Sequence, residues 1–84
     1  MDTKARIREF IVQNFYVADG GSLDDGTSLI GTGIVDSTGV LEVVAFLESE
    51  FGITIPDRDI LPDNLDTIAR LDAYVGRKRA TVAA

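Results

Sequence analysis

Cysteine, histidine and tryptophan are all absent from these 84 residues, and proline occurs only twice. Without cysteine, neither a disulfide nor a thiolate metal site can staple the fold. Without histidine, the chain lacks the usual imidazole base and the commonest zinc ligand. Paired carboxylates or lysine could still do chemistry, but no thiol nucleophile is available, and the chain is not expected to be an enzyme. Basic charge is also scarce, with 8 Lys and Arg against 14 Asp and Glu. No apolar run is long enough for a bilayer. The N-terminal Met1-Asp2-Thr3-Lys4-Ala5-Arg6 leads into an amphipathic pattern rather than a signal core, so a cytoplasmic protein is expected.

What remains is hydrophobic content of 45%, enough for one small core near the lower size limit for unstapled domains. The net charge of −6 is unevenly spread. Residues 1–16 carry +1 and residues 67–84 carry +3, the latter from Arg70, Arg77, Lys78 and Arg79 against Asp72. The stretch between them holds eleven acids (Asp19, Asp24, Asp25, Asp36, Glu42, Glu48, Glu50, Asp57, Asp59, Asp63 and Asp66) against Arg58 alone. Such a segment repels nucleic acid and anionic lipid and attracts basic protein surfaces. Solubility accounts for acidic residues in general, but not for this segregation.

Hydrophobic spacing predicts an all-α domain. Ile7, Phe10, Ile11 and Phe15 recur at helical intervals, giving a helix over Thr3–Tyr16 capped by Asp2 or Thr3. A turn-rich loop follows, from Asp19 to Ser28, with Leu29, Ile30, Ile34 and Val35 as its anchors. A second helix begins at Asp36 or Ser37, runs through Val40, Val43, Val44, Leu47 and Phe51, and stops at Gly52. Ile55-Pro56 must be extended, and residues 57–61 can form a short helical turn before Pro62. Asp66 is expected to cap a last helix whose stripe is Ile68, Leu71, Tyr74 and Val75. That helix is expected to fray after Arg77-Lys78-Arg79, leaving residues 1–79 as the domain and 80–84 as a tail. Val40, Val44, Leu47, Ile60 and Leu71 are core candidates.

The most informative residues are Asp36-Ser37. The pair places a hydroxyl at a helix N-terminus, where unpaired N–H groups and the helix dipole favour an attached anion such as a phosphodiester. Taken alone, Asp-Ser before a helix is a capping signal. Other constellations fail on their own chemistry. Asp57, Asp59 and Asp63 have part of the EF-hand spacing, but Leu61, Pro62 and Ile68 occupy its fifth, glycine and closing-glutamate positions. Gly31-Thr32-Gly33 lacks the lysine of a phosphate loop. The aromatics Phe10, Phe15, Tyr16, Phe46, Phe51 and Tyr74 read as core, with no basic surface for stacking bases.

In combination, Leu29, Gly33-Ile34, Asp36-Ser37, Val40, Glu42, Val43, Leu47-Glu48 and the run Glu50-Phe51-Gly52-Ile53-Thr54-Ile55-Pro56-Asp57 resemble the acyl carrier and peptidyl carrier proteins. The resemblance covers residues 4 to 76. It implies a four-helix bundle with three main helices, a short third one and a long first loop. It further implies 4'-phosphopantetheine, taken from coenzyme A, on Ser37, with Asp36 positioning the serine. Thr38, Glu42 and Glu48 would then be docking residues. The working thiol belongs to the cofactor, which fits a chain without cysteine. The implied partners are a phosphopantetheinyl transferase, an acyl- or aminoacyl-activating ligase, and a downstream synthase or acyltransferase. A monomer is expected, with no metal, no nucleic acid and no membrane insertion.

One departure stands out. The family usually has Leu or Met after the serine, whereas this chain has Thr38-Gly39. Glycine in the first turn of a helix costs about 1 kcal/mol relative to alanine unless a partner needs close approach there. The departure points to a specialised carrier with its own ligase rather than the general carrier of fatty acid synthesis. A rival reading is an unmodified acidic helical adaptor for a basic partner. A hydrolase using Ser37 would have no His or suitably spaced Lys to deprotonate it.

Overall fold

The computed structural model describes residues 2–15, 17 and 23–83, with side chains described as far as 80. Four α-helices and one 3-10 turn account for the regular structure of those residues. They form the all-α four-helix bundle that the acyl carrier resemblance implies.

Helix α1 spans Thr3–Asn14. Asp2 caps it, its side chain accepting from the Ala5 N–H at 2.7 Å, and so satisfies one of the donors that a helix start leaves unpaired. It ends where Phe15 turns extended, at φ −130 and ψ 154. The expected last turn to Tyr16 is therefore shorter by two residues, and Tyr16 itself lies outside the described residues. Helix α2 spans Ser37–Phe51, with Asp36 as its cap. Gly52 closes it at φ 66, a conformation that glycine adopts without steric cost. The Glu48 carboxylate then accepts from the Ile55 N–H at 2.9 Å, tying the extended segment back to the helix.

Residues 57–61 hold a 3-10 turn, Asp57–Asp59, and a separate helix α3 follows at Pro62–Leu65. The 3-10 turn is the short helical turn expected before Pro62. Proline then opens a further helix that the sequence reading did not expect, because the first helical position needs no N–H donor. Helix α4 spans Ile68–Ala83, so it does not fray after Arg79. Its start also differs from expectation. Thr67 Oγ1 accepts from the Arg70 N–H at 3.0 Å, the capping role expected of Asp66.

Asp66 instead faces the long loop. Ser28 Oγ lies 2.9 and 2.8 Å from its two carboxylate oxygens, and the Ile30 N–H donates to Oδ1 at 2.9 Å. Its backbone carbonyl accepts from the Leu29 N–H at 2.6 Å. Further upstream, Arg8 and Lys4 pair with Asp25, whose carbonyl accepts from the Ala69 N–H at 3.0 Å. The Asp25 side chain thus binds the loop to α1, while Asp66 and the Asp25 carbonyl bind it to the start of α4.

Helix α4 packs against α1, α2 and α3. Its Ile68, Leu71, Tyr74 and Val75 are buried with Ile7 and Ile11 of α1, Val43, Val44 and Leu47 of α2, and Leu65 of α3. Each such fully buried aliphatic contributes about 1.5–3 kcal/mol of transfer free energy. Val40 and Ile60 lie half-buried at the edge of this core. Of the expected loop anchors, Leu29 and Val35 are buried, Ile34 is half-buried and Ile30 is exposed. Leu23 is buried as well, within the stretch whose composition read as a turn-rich loop.

Candidate functional site

The loop delivers the chain to α2 through two buried side chains. Leu29 and Val35 sit in the core, and the Val35 N–H donates to the Leu29 carbonyl at 3.0 Å. Between them Gly33 takes φ 79, a left-handed turn that a side chain would strain. Asp36 then stands extended at φ −93 and ψ −174, and its Oδ1 accepts from the Gly39 N–H at 2.7 Å. Its carbonyl takes the Val40 N–H at 2.9 Å. The donors of the third and fourth helical residues are thereby occupied.

Ser37 and Thr38, both exposed, lead the helix. The positive end of the α2 dipole, with the first-turn amides, therefore lies at the Ser37 hydroxyl. One turn further, Glu42 is exposed, and so is Leu41, at 61%. Residues three and four apart share a helix face, so Ser37, Thr38, Leu41 and Glu42 form one accessible strip. Asp36, Ser37, Thr38 and Glu42 are brought together here. Glu48 stands apart, about 16 Å further along the helix at 1.5 Å per residue. Its carboxylate is half-buried and engaged by Ile55.

Two features escaped the sequence reading. Leu41 lies outside the α2 core stripe and four residues after Ser37, a spacing that marks an apolar group beside the hydroxyl. Gly39 is buried, and a Cβ there would stand 2.7 Å from Phe15 Cε1, 3.2 Å from Asp36 Oδ1 and 3.3 Å from Val35 Cγ1. The close approach that justifies this glycine comes from within the chain.

An exposed serine opening a capped amphipathic helix is placed to accept a phosphate-linked group. Comparison with known proteins agrees. The family described as "Phosphopantetheine attachment site" matches residues 5–75. The chain is 30% identical over 77 residues to the probable acyl carrier protein PigG of a Serratia species, covering 92% of this chain and 88% of that one. It is 28% identical over 79 residues to an acyl carrier protein of Zymomonas mobilis, covering 94% and 97% respectively. To a D-alanyl carrier protein of Streptococcus suis it is 38% identical over 56 residues, covering 67% and 68%. The chain belongs to the phosphopantetheine-binding carrier protein family. The cofactor of that family is covalently attached 4'-phosphopantetheine. The start of α2 fits such a group, because its hydroxyl is accessible and the dipole beside it favours a phosphodiester. No described helix is long and apolar enough to cross a membrane.

Proposed function

We propose that this chain carries acyl or aminoacyl groups as thioesters on 4'-phosphopantetheine attached to Ser37, and presents them to partner enzymes. The observation that carries this reading is the exposed Ser37 hydroxyl at the head of α2, beside the Asp36 cap. In the modification step the Ser37 oxygen bonds to the pantetheine-side phosphorus of coenzyme A. The pyrophosphate bond breaks, adenosine 3',5'-bisphosphate leaves, and the serine proton passes to a base on the transferase. Once attached, the arm supplies the thiol that the sequence lacks. Asp36 holds the helix start rigid, so the hydroxyl meets the transferase in one orientation.

Thr38 and Glu42 flank the attachment point and are the docking residues, with Leu41 as an apolar contact between them. Glu48 adds charge to the same helix while it also holds Ile55. The charges suit basic surfaces on a transferase, an activating ligase and a downstream synthase or acyltransferase. Residues 1–79 form the carrier unit, a cytoplasmic monomer that is itself no catalyst. The similarity to D-alanyl and PigG-type carriers supports a specialised cargo supplied by a dedicated ligase. Incubation with coenzyme A, Mg²⁺ and a broad-specificity transferase tests this. Intact mass should rise by one phosphopantetheine per chain, and Ser37→Ala should abolish the gain with helicity unchanged. A chain that gains no mass with several unrelated transferases would instead be an unmodified acidic adaptor.

A further inference from the structure

Phe15 ends α1 and belongs to a row of four phenylalanines running along α1 and α2. Its ring meets Phe10 edge-on, with centroids 6.1 Å apart and planes at 73°. Phe10 stacks on Phe46 of α2 at 4.1 Å and 13°, and Phe46 meets Phe51 edge-on at 5.9 Å. The far end of the row is the start of α2. There the Phe15 ring edge lies against Gly39, with Cε1 only 2.7 Å from where a Cβ on residue 39 would stand. The Asp36 carboxylate, which receives the Gly39 N–H, borders the same point. Three groups therefore meet at one place: the ring edge, the glycine Cα and the capping carboxylate. Aromatic ring edges carry partial positive charge, so this edge suits a neighbouring carboxylate.

We propose that Phe15 is a positioning residue for Ser37: seated on Gly39, its ring fixes the Asp36 cap and with it the orientation of the serine hydroxyl. The proposal rests on Ser37 being the attachment point. The phenylalanine row braces the ring from behind, since Phe10 cannot retreat without leaving Phe46. Glycine at position 39 is then what this chain needs for the ring to reach the helix start. The ring touches no reacting atom. It acts through Gly39 and Asp36.

A displacement of the hydroxyl slows the chemical step more than it weakens docking, because the exposed strip of Thr38, Leu41 and Glu42 is unchanged. A misplacement of 1 Å can cost about 100-fold, so shifts of a few tenths of an ångström should cost roughly three- to tenfold in kcat. The experiment measures kcat and KM for phosphopantetheine transfer to the wild-type chain, Phe15→Ala, Phe15→Leu, Gly39→Ala and the Phe15→Leu/Gly39→Ala double variant. All are assayed well below their unfolding midpoints and checked by circular dichroism. Phe15→Ala and Gly39→Ala should lower kcat by that factor with KM unchanged. Phe15→Leu should lower kcat in the wild-type background but raise it in the Gly39→Ala background, because the shorter side chain makes room for the Cβ. Such a reversal of sign is a coupling that two independent stability losses do not produce. Folded variants with wild-type kcat, or with additive effects, overturn the proposal while leaving Ser37 as the attachment site. If Phe15→Ala does not fold, the Phe15→Leu and double-variant pair decides the matter. A wild-type chain that gains no phosphopantetheine overturns the carrier reading and this inference with it.

Discussion

Replacing Asp66 by alanine should cost more stability than removing the side chain that caps α4. The Asp66 carboxylate accepts the Ser28 hydroxyl and the Ile30 N–H, and Ser28 Oγ in turn accepts the Gly31 N–H at 2.9 Å. Hydrogen bonds to charged groups contribute about 1.5–3 kcal/mol each. The Ile30 amide is exposed and can turn to water, which discounts its share. The Ser28 contact is half-buried and loses more. The Leu29 N–H keeps its bond to the Asp66 carbonyl in any variant. A net cost of about 2–3 kcal/mol follows, from a domain whose total stability is about 4–13 kcal/mol. For this chain length, that loss lowers the midpoint by roughly 8–20 °C. Thr67→Ala, which removes the α4 cap, should cost only about 1 kcal/mol. Asp66→Asn should fall between them, since its amide can still meet Ser28 without a charge. Urea titrations followed at 222 nm, with all three variants compared at equal m-value, measure the order. An Asp66→Ala cost at or below that of Thr67→Ala would refute the assignment of Asp66 to the loop.

Other perturbations probe the remaining contacts. The Tyr74 hydroxyl donates to Asp59 Oδ2 at 2.7 Å, and burial, with that carboxylate beside it, pushes the phenol pKa up to about 12 from 10.0. Its protonated form is favoured by folding, so this stabilisation is full below pH 10, fades as pH rises to 12, and should be missing from a Tyr74→Phe variant, which costs about 1–2 kcal/mol near neutrality; alkaline unfolding curves that coincide for the two proteins would contradict it. Glu42→Lys should slow phosphopantetheine transfer at low salt, with the deficit shrinking as salt rises because exposed charges are screened; rates equal to wild type at low ionic strength would remove Glu42 from the docking surface. Thr38→Leu should improve modification by a transferase that normally serves a fatty acid carrier, measured as kcat/KM, and an unchanged value would detach residue 38 from partner choice.

The helical stripes of α1, α2 and α4 were legible because each buries one face at a single period, as Ile68, Leu71, Tyr74 and Val75 do. The α2 start was equally legible, since an aspartate cap and a glycine stop are local signals. The α3–α4 junction was not. Asp66 and Thr67 are both good caps, and the choice between them depends on Ser28 and Ile30, which lie more than 35 residues earlier. Leu23 likewise gains its burial from tertiary packing rather than from any neighbour in sequence. Gly39 illustrates the same limit at the site. From sequence its place in the helix could be assigned only to close approach by a partner, because the ring that lies against it comes from the end of another helix.

The central claim is that one serine, chosen by its place at a helix N-terminus, bears the cofactor. Ser28 is committed to Asp66 and Gly31, and Ser49 lies late in α2, where the dipole disfavours a phosphate. Peptide mapping of the transferase-treated chain by tandem mass spectrometry distinguishes them directly. The phosphopantetheine fragment should arise from the peptide containing Ser37, at one group per chain. The same fragment arising from a peptide containing Ser22, Ser28 or Ser49, with the Ser37 peptide unmodified, would contradict it.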